Sequence, residues 1–364
     1  MKKILIINDL TTGGGVENIL QNLVKYLNER DYKITVFTSQ YEKNFYSFYP
    51  PKVSYYHLFS IDHRKNRLLN FVNRVIRCAV KSFIHQKKFD VVIAIKEGWA
   101  MKFGSNCKAS NKIAWVHVDY NYAYWTHCIF PSKNDEIECM RRYNYVVCVS
   151  NSTKESVINT IGNPGNLCVK YNPINVEQII QKSKESTGYR RPENQLLFVS
   201  VGRLVDQKNF EMLLECVRKI GNKDKFELWI IGEGGNRNNL ENMIKKYELD
   251  HVKLLGNQIN PYPIMKQADW FISSAVWESF GLAIQESIIL GVPVLTTRCP
   301  AVDEVFDKKA GIVVNNSETA LSEKMLEIIE NPDMGTKYKE YMSDIDFSDY
   351  FEMRFKSIEE LWEN

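Results

Sequence analysis

An α/β fold of two doubly wound domains facing each other across a cleft is predicted by three observations. Short apolar runs rich in β-branched residues recur along the chain, nearly continuous rather than alternating, as parallel strands buried on both faces require. Helical segments separate these runs, and the alternation restarts in the second half. Between the halves, Asn172-Pro173-Ile174-Asn175 reads as a hinge near 172–176, and the polar stretch 182–194 as a helix end and loop.

In the first half the strand signals are Ile4–Ile7, Ile34–Thr38, Val91–Ile95, Ile113–Val116 and Val146–Val149. The helix after the first strand is marked by one apolar stripe, Val16, Ile19, Leu20, Leu23, Val24 and Leu27. The second half offers Leu196–Val201, Leu228–Ile231, Val252–Leu255, Trp270–Ser273, Pro293–Thr296 and Ile312–Val314, with helices that include Asn209–Ile220 and Arg237–Tyr247. Domains are expected over 1–172 and 173–347, with a final helix, 348–364, packing back onto the first.

A chain of 364 residues is long for one core and suits two. Its 44% hydrophobic and 25% charged content is that of a soluble globular protein, and a net charge of +3 gives no argument for a nucleic-acid partner. The opening run Met1 to Ile7 imitates a signal peptide, but Asn8 and Asp9 end it too early. No stretch approaches the roughly 18 apolar residues of a membrane span. The eight cysteines form neither a CxxC pair nor a regular framework, so free thiols and a cytoplasmic location are expected.

Three strand-to-helix turns carry the glycines and cations. Thr12-Gly13-Gly14-Gly15-Val16-Glu17 opens the first helix, and its glycines permit close backbone approach to a ligand, although the spacing is not the GxGxxG fingerprint. In the second half, Gly202-Arg203-Leu204-Val205-Asp206-Gln207-Lys208 sets two cations at the carboxyl end of a strand, where open α/β sheets bind ligands. An arginine fork and a lysine point charge suit a diphosphate; the alternative is two solvated surface cations. Gly232-Glu233-Gly234-Gly235 ends the next strand and is a weaker candidate for shaping the same pocket.

The most informative segment runs from Ser273 to Thr297. It places Glu278 in the loop after a strand and Glu286 inside the following helix, eight residues on, with Gly291 and Pro293 ending that helix. The amides of Phe280, Gly281, Leu282 and Ala283 then lie at a helix N-terminus, whose unpaired N–H groups and positive dipole end make a phosphate cradle. Two carboxylates beside such a cradle suggest a sugar-nucleotide site.

Taken together, Glu278-Ser279-Phe280-Gly281 with Glu286, Gly202-Arg203-Leu204 with Lys208, and the Gly14-Gly15 loop resemble the retaining glycosyltransferases of family 4. The resemblance covers nearly the whole chain in the family's order and is weakest over 41–91. It implies the GT-B arrangement of two Rossmann-like domains, with the donor held mainly by the C-terminal one. By the same resemblance Arg203 and Lys208 neutralise the donor diphosphate, Glu278 contacts the donor sugar, and Glu286 hydrogen-bonds the ribose. Gly14 and Gly15 approach the donor from the other domain, and His117 faces the transferred sugar; a lone histidine after an apolar strand is more often a structural hydrogen-bonder, which is the alternative for His117.

Transfer in this family is thought to lack a protein nucleophile and to run by front-face displacement, so the burden falls on the leaving group. A charge-assisted hydrogen bond contributes about 1.5–3 kcal/mol and a helix terminus about 0.3–2 kcal/mol, which lets Arg203, Lys208 and the 280–283 amides serve without a cofactor or divalent metal. Asp344-Ile345-Asp346 is formally a DxD metal motif but lies beside the final helix, where capping is the simpler role. A zinc site from His117, His127, Cys128 and Cys139 fits no standard ligand spacing.

The expected partners are a nucleotide-sugar donor, UDP-linked by preference, and a glycan or lipid-linked acceptor of surface-polysaccharide assembly. The basic stretch 63–88, with Leu68, Phe71, Val72, Val75, Ile76, Ala79 and Phe83 at helical spacing, is either a peripheral contact with the inner face of a membrane or an ordinary domain helix. Tyr120, Tyr122, Tyr124 and Trp125 form either an acceptor wall or a core cover. The competing functions are a nucleotide-sugar 2-epimerase of the same fold and a non-catalytic partner of another transferase.

Overall fold

The computed structural model describes residues 1–9, 15–39, 50–58, 78–221, 224–347 and 350–363. The chain divides into two compact units, Met1–Ile174 with Glu352–Asn364, and Asn175–Phe351.

The first unit carries strands β1 (Lys2–Asn8), β2 (Tyr32–Thr38), β3 (Ser54–His57), β4 (Lys88–Ala94), β5 (Lys108–Val116), β6 (Tyr145–Cys148) and β7 (Leu167–Val169). They form one sheet in the order β3-β2-β1-β4-β5-β6-β7, with every ladder parallel. The strands predicted from apolar runs are present to within a residue at their carboxyl ends. β3 and β7 are half-buried strands at the edges of the sheet and lie outside that reading: Ser54–His57 has polar residues at both ends, and the apolar run Leu167–Val169 is only three residues long. One face of the sheet presents Leu5, Ile7, Phe37, Val92, Ala94 and Val116 to a single core, which also takes Met101 and Phe103 from the helix Trp99–Gly104.

The last helix, Tyr350–Glu363, belongs to this unit from Glu352 onward. Phe355 stacks on Tyr26 with ring centroids 4.6 Å apart, and the Tyr26 hydroxyl donates to Glu359 at 3.0 Å. Arg354 donates to the Asn172 carbonyl at 2.6 Å, tying the helix to the end of the first unit. Asp344 closes the preceding helix, Thr336–Ser343, at its C-terminal end, so it does not open the final one.

The second unit carries β8 (Leu196–Val201), β9 (Phe226–Ile231), β10 (Val252–Gly256), β11 (Trp270–Ser273), β12 (Val294–Thr297) and β13 (Gly311–Val314), again all parallel, in the order β10-β9-β8-β11-β12-β13. Each was legible as an apolar run, since helices cover both faces of this sheet, one around Leu213, Val217 and Leu321 and the other around Ile284 and Ile288.

Of the basic stretch 63–88, residues 63–77 lie outside the described residues. A helix spans 78–86, in which Val80 and Ile84 turn to the core while Ala79 and Phe83 are exposed. Lys88 begins β4 rather than continuing that helix. Among the described residues no helix is long and apolar enough to cross a membrane.

Candidate functional site

In the second unit the site is assembled at the carboxyl ends of β8, β9 and β11. Gly202 leaves β8 with its N–H donated to the Ile231 carbonyl at 3.0 Å, and Leu204 N–H donates to the Glu233 carbonyl at 2.9 Å. The turn after β9 thus lies directly on the turn after β8. A Cβ at Gly232, where φ is 144°, would sit 1.9 Å from the Gly202 carbonyl oxygen, and one at Gly234 would sit 2.3 Å from that of Leu204. Only glycine lets the two backbones touch. At Gly202 a Cβ would meet the methylenes of Lys208 at 3.0–3.1 Å, so the missing side chain is the passage for the lysine stem.

Lys208 closes the short turn Asp206–Lys208. Three hydrogen bonds staple this turn to the loop after β11. Val276 N–H donates to the Gln207 carbonyl (2.9 Å), the Gln207 amide to the Trp277 carbonyl (3.1 Å), and the Ser274 hydroxyl to the Lys208 carbonyl (2.8 Å). The Lys208 ammonium donates to Glu278 in an ion pair whose side chains are only 19% and 10% exposed. Arg203 stands exposed at the same strand exit.

The loop ends at Gly281, whose left-handed backbone (φ 69°, ψ 49°) caps the helix Leu282–Ile289. Ile284 and Gln285 N–H groups both return to the Gly281 carbonyl, at 3.0 and 3.1 Å, so the amides just before them have no helical carbonyl to reach. Phe280 is buried, while Leu282 is partly exposed.

Glu286, in the second turn of that helix, accepts a hydrogen bond from the Tyr262 hydroxyl at 3.1 Å. Burial pushes its carboxyl up to about 7; the Tyr262 hydrogen bond and the Lys208 charge pull the other way. Such a group holds its proton in the folded state to a higher pH than in the unfolded chain. The stability it supplies is therefore complete below its ordinary value of 4.5 and is lost as pH rises to about 7. Glu286→Gln should flatten that part of the stability–pH curve, measured by denaturant titration across this interval.

Gly15 is the first residue of the helix Gly15–Asn28 in the first unit, and Gly14 lies outside the described residues. His117 follows β5. Burial, with help from the Lys96 charge, pushes its imidazole down to about 3, against the pull of the Ile95 carbonyl. The ring is therefore neutral at physiological pH, and its buried Nε2 has no hydrogen-bond partner among the described residues.

Two buried glutamates that the sequence reading passed over hold the surroundings of His117. Glu97, fully buried, accepts the His117 backbone N–H at 2.9 Å and the Trp125 indole N–H at 3.2 Å. Gly98, at φ 82°, makes room for the same indole, since a Cβ there would lie 2.4 Å from the ring. Glu136 collects the hydroxyls of Tyr120, Tyr124 and Thr126 at 2.8, 3.0 and 3.1 Å. The aromatic loop therefore divides: Tyr120 is buried, Tyr124 and Trp125 are half-buried and anchored, and Tyr122 is 52% exposed. Trp125→Phe should cost about 1–3 kcal/mol, because it strips one donor from a buried carboxyl; equilibrium unfolding measures it.

Among the described residues no group of three or more His, Cys, Asp or Glu is arranged to hold a metal ion.

This pair of parallel-sheet units, with a glycine-backed Lys–Glu pair at a helix N-terminus, is that of a glycosyltransferase of the GT-B fold. The family described as Glycosyl transferases group 1 matches residues 181–344, and Glycosyltransferase Family 4 matches 13–178. The chain belongs to this family. An uncharacterized glycosyltransferase of Methanocaldococcus jannaschii is 25% identical over 352 residues, 88% of this chain and 86% of that protein. The N-acetylgalactosamine-N,N'-diacetylbacillosaminyl-diphospho-undecaprenol 4-alpha-N-acetylgalactosaminyltransferase of Campylobacter jejuni is 29% identical over 175 residues, 47% of this chain and 46% of that enzyme, so less than half of its length is matched. Among solved structures, Anabaena HepE in complex with UDP and glucose superposes with a TM-score of 0.75 at 16% identity, over 99% of this chain and 100% of that one.

Proposed function

We propose that the protein is a retaining, metal-independent glycosyltransferase that takes a sugar from a UDP-linked donor and places it on a glycan or lipid-linked saccharide during surface-polysaccharide synthesis. The observation that carries the reading is the Lys208–Glu278 pair, stapled to the loop after β11 and set beside the N-terminus of the helix Leu282–Ile289. The donor's diphosphate would meet Arg203, Lys208 and the amides of that terminus, groups that gain most as negative charge grows on the departing phosphate. Glu278 already holds the ammonium, so a donor-sugar hydroxyl would join an existing ion pair and extend it into a network. The Glu286 carboxylate would take the ribose hydroxyls. With a neutral ring, His117 would accept or donate a hydrogen bond to a substrate hydroxyl and would not act as a base near neutral pH.

Support for the donor comes from HepE, solved with UDP and glucose, and support for the acceptor class from the Campylobacter enzyme, whose name specifies a diphospho-undecaprenol acceptor. A thermal-shift screen of nucleotide sugars tests the donor: a ligand at about one hundred times its Kd adds about 2.7 kcal/mol of stability. UDP-sugars should give the largest shift, and a screen in which no nucleotide sugar stabilises the protein would end the proposal. Activity should persist in EDTA; loss that Mg²⁺ restores would overturn the metal-free mechanism. Peripheral membrane contact through 63–88 is tested by flotation with anionic liposomes, where failure to co-float rejects it.

A further inference from the structure

Glu286 is met by one residue that no motif of the chain announces. Tyr262 opens the short helix Tyr262–Met265 beyond β10, a different strand exit from the one that leads to Glu286. Its hydroxyl donates to Glu286 Oε1 at 3.1 Å across 24 residues of sequence. Asn260 holds the approach, its side-chain oxygen accepting the Tyr262 N–H at 3.2 Å and its amide donating to the Lys182 carbonyl at 2.9 Å. The tyrosine is therefore placed by its own backbone contacts and brought to the carboxylate, rather than drawn there by it.

We propose that Tyr262 is a positioning residue for nucleotide binding, presenting Glu286 as an ionised acceptor for the cis-diol of a ribose. The inference rests on the ribose role given to Glu286 above. An ionised carboxylate only accepts hydrogen bonds and offers about four sites for them. Tyr262 fills one on Oε1, fixes the rotation of the carboxyl group, and leaves the remaining sites for two vicinal hydroxyls. A protonated Glu286 would spend its own proton and could accept from the diol less well. The groups that bear on Glu286 are Tyr262 from its helix and Lys208 from the turn after β8, and both favour the ionised form against burial. Without the tyrosine only the lysine remains, so the proton should hold to a higher pH. Nucleotide binding should then release a proton, and the pH at which it does so is set by Tyr262.

Calorimetric titration with UDP-glucose and GDP-mannose between about pH 6 and about pH 8.5 tests this; both probes carry a ribose diol, and neither diphosphate diester titrates in the interval. Wild type should bind more tightly as pH rises. Tyr262→Phe should weaken binding about tenfold near neutral pH, move the midpoint upward and approach wild-type affinity at the alkaline end. kcat at saturating donor should be unchanged. In a Glu286→Gln background, where binding should be weak and independent of pH, Tyr262→Phe should add nothing. A Tyr262→Phe protein with wild-type affinity and midpoint overturns the inference while leaving the ribose role intact. A Glu286→Gln protein that keeps the wild-type profile, or a wild type that binds neither probe, removes the ribose role itself and this inference with it.

Discussion

Lys208→Ala is expected to lower kcat by about 10²–10³-fold, the usual result of deleting one charged donor from a site where negative charge develops. The same change should cost stability, because the Glu278 side chain, only 10% exposed, keeps its place and loses its only ion-pair partner among the described residues. That cost should be about 1–3 kcal/mol. The two effects separate in the double variant Lys208→Met with Glu278→Gln, where the stranded charge is gone and stability should largely return while turnover stays low. Steady-state kinetics and chemical denaturation of the three proteins decide the matter. Equal activity in Lys208→Ala and wild type would remove Lys208 from the mechanism. Lys208→Arg should rescue only part of the activity, since the stem passes 3.0–3.1 Å from where a Cβ would stand on Gly202 and a wider guanidinium must be steered through the same passage.

Gly232→Ala carries the largest expected effect on the fold. Its backbone at φ 144° is strained for any residue with a side chain, at about 1–3 kcal/mol. The new methyl group would also lie 1.9 Å from the Gly202 carbonyl, and relieving such an overlap costs a further 1–3 kcal/mol or so. The second unit should melt about 5–20 °C lower, given roughly 2–4 °C per kcal/mol for a domain of this size. Nucleotide binding should fall with it, because the contact that breaks is the one placing Gly202 and Arg203. Gly235→Ala, in the same turn but with nothing within 4 Å of its Cβ position, should shift stability by no more than about 0.5 kcal/mol. Scanning calorimetry of the two variants separates this steric account from a general intolerance of the turn.

Much of the architecture is legible in the amino-acid sequence. Strands such as Leu196–Val201 and Trp270–Ser273 are apolar along most of their length, broken only by Ser200 and Ser273, because helices cover both faces, and such a run is visible residue by residue. The half-buried edge strands lack that constraint: Ser54–His57 is polar at both ends, and Leu167–Val169 is apolar over three residues only. Helical spacing across 63–88 predicts an apolar side that includes Ala79 and Phe83, whereas Lys88 joins a strand and the helix over 78–86 turns Val80 and Ile84 to the core. Helical spacing shows that a side of a helix is apolar, but packing decides which side is covered.

By itself, then, the sequence determined the order of strands and helices and the two turns where glycine, cation and carboxylate concentrate, because burial on both faces and left-handed turns each demand particular residues at particular local positions. Only the tertiary structure decided that Lys208 pairs with Glu278 across 70 residues, that Gly232 must be bare to receive Gly202, that Tyr262 reaches Glu286, and that Glu97 joins His117 to Trp125. Those contacts join the ends of different strands, whose separation in the chain is set by the intervening helices and loops. Short-range spacing records what a strand or a turn needs, whereas the meeting of strand ends depends on sheet order and on the packing of the whole domain.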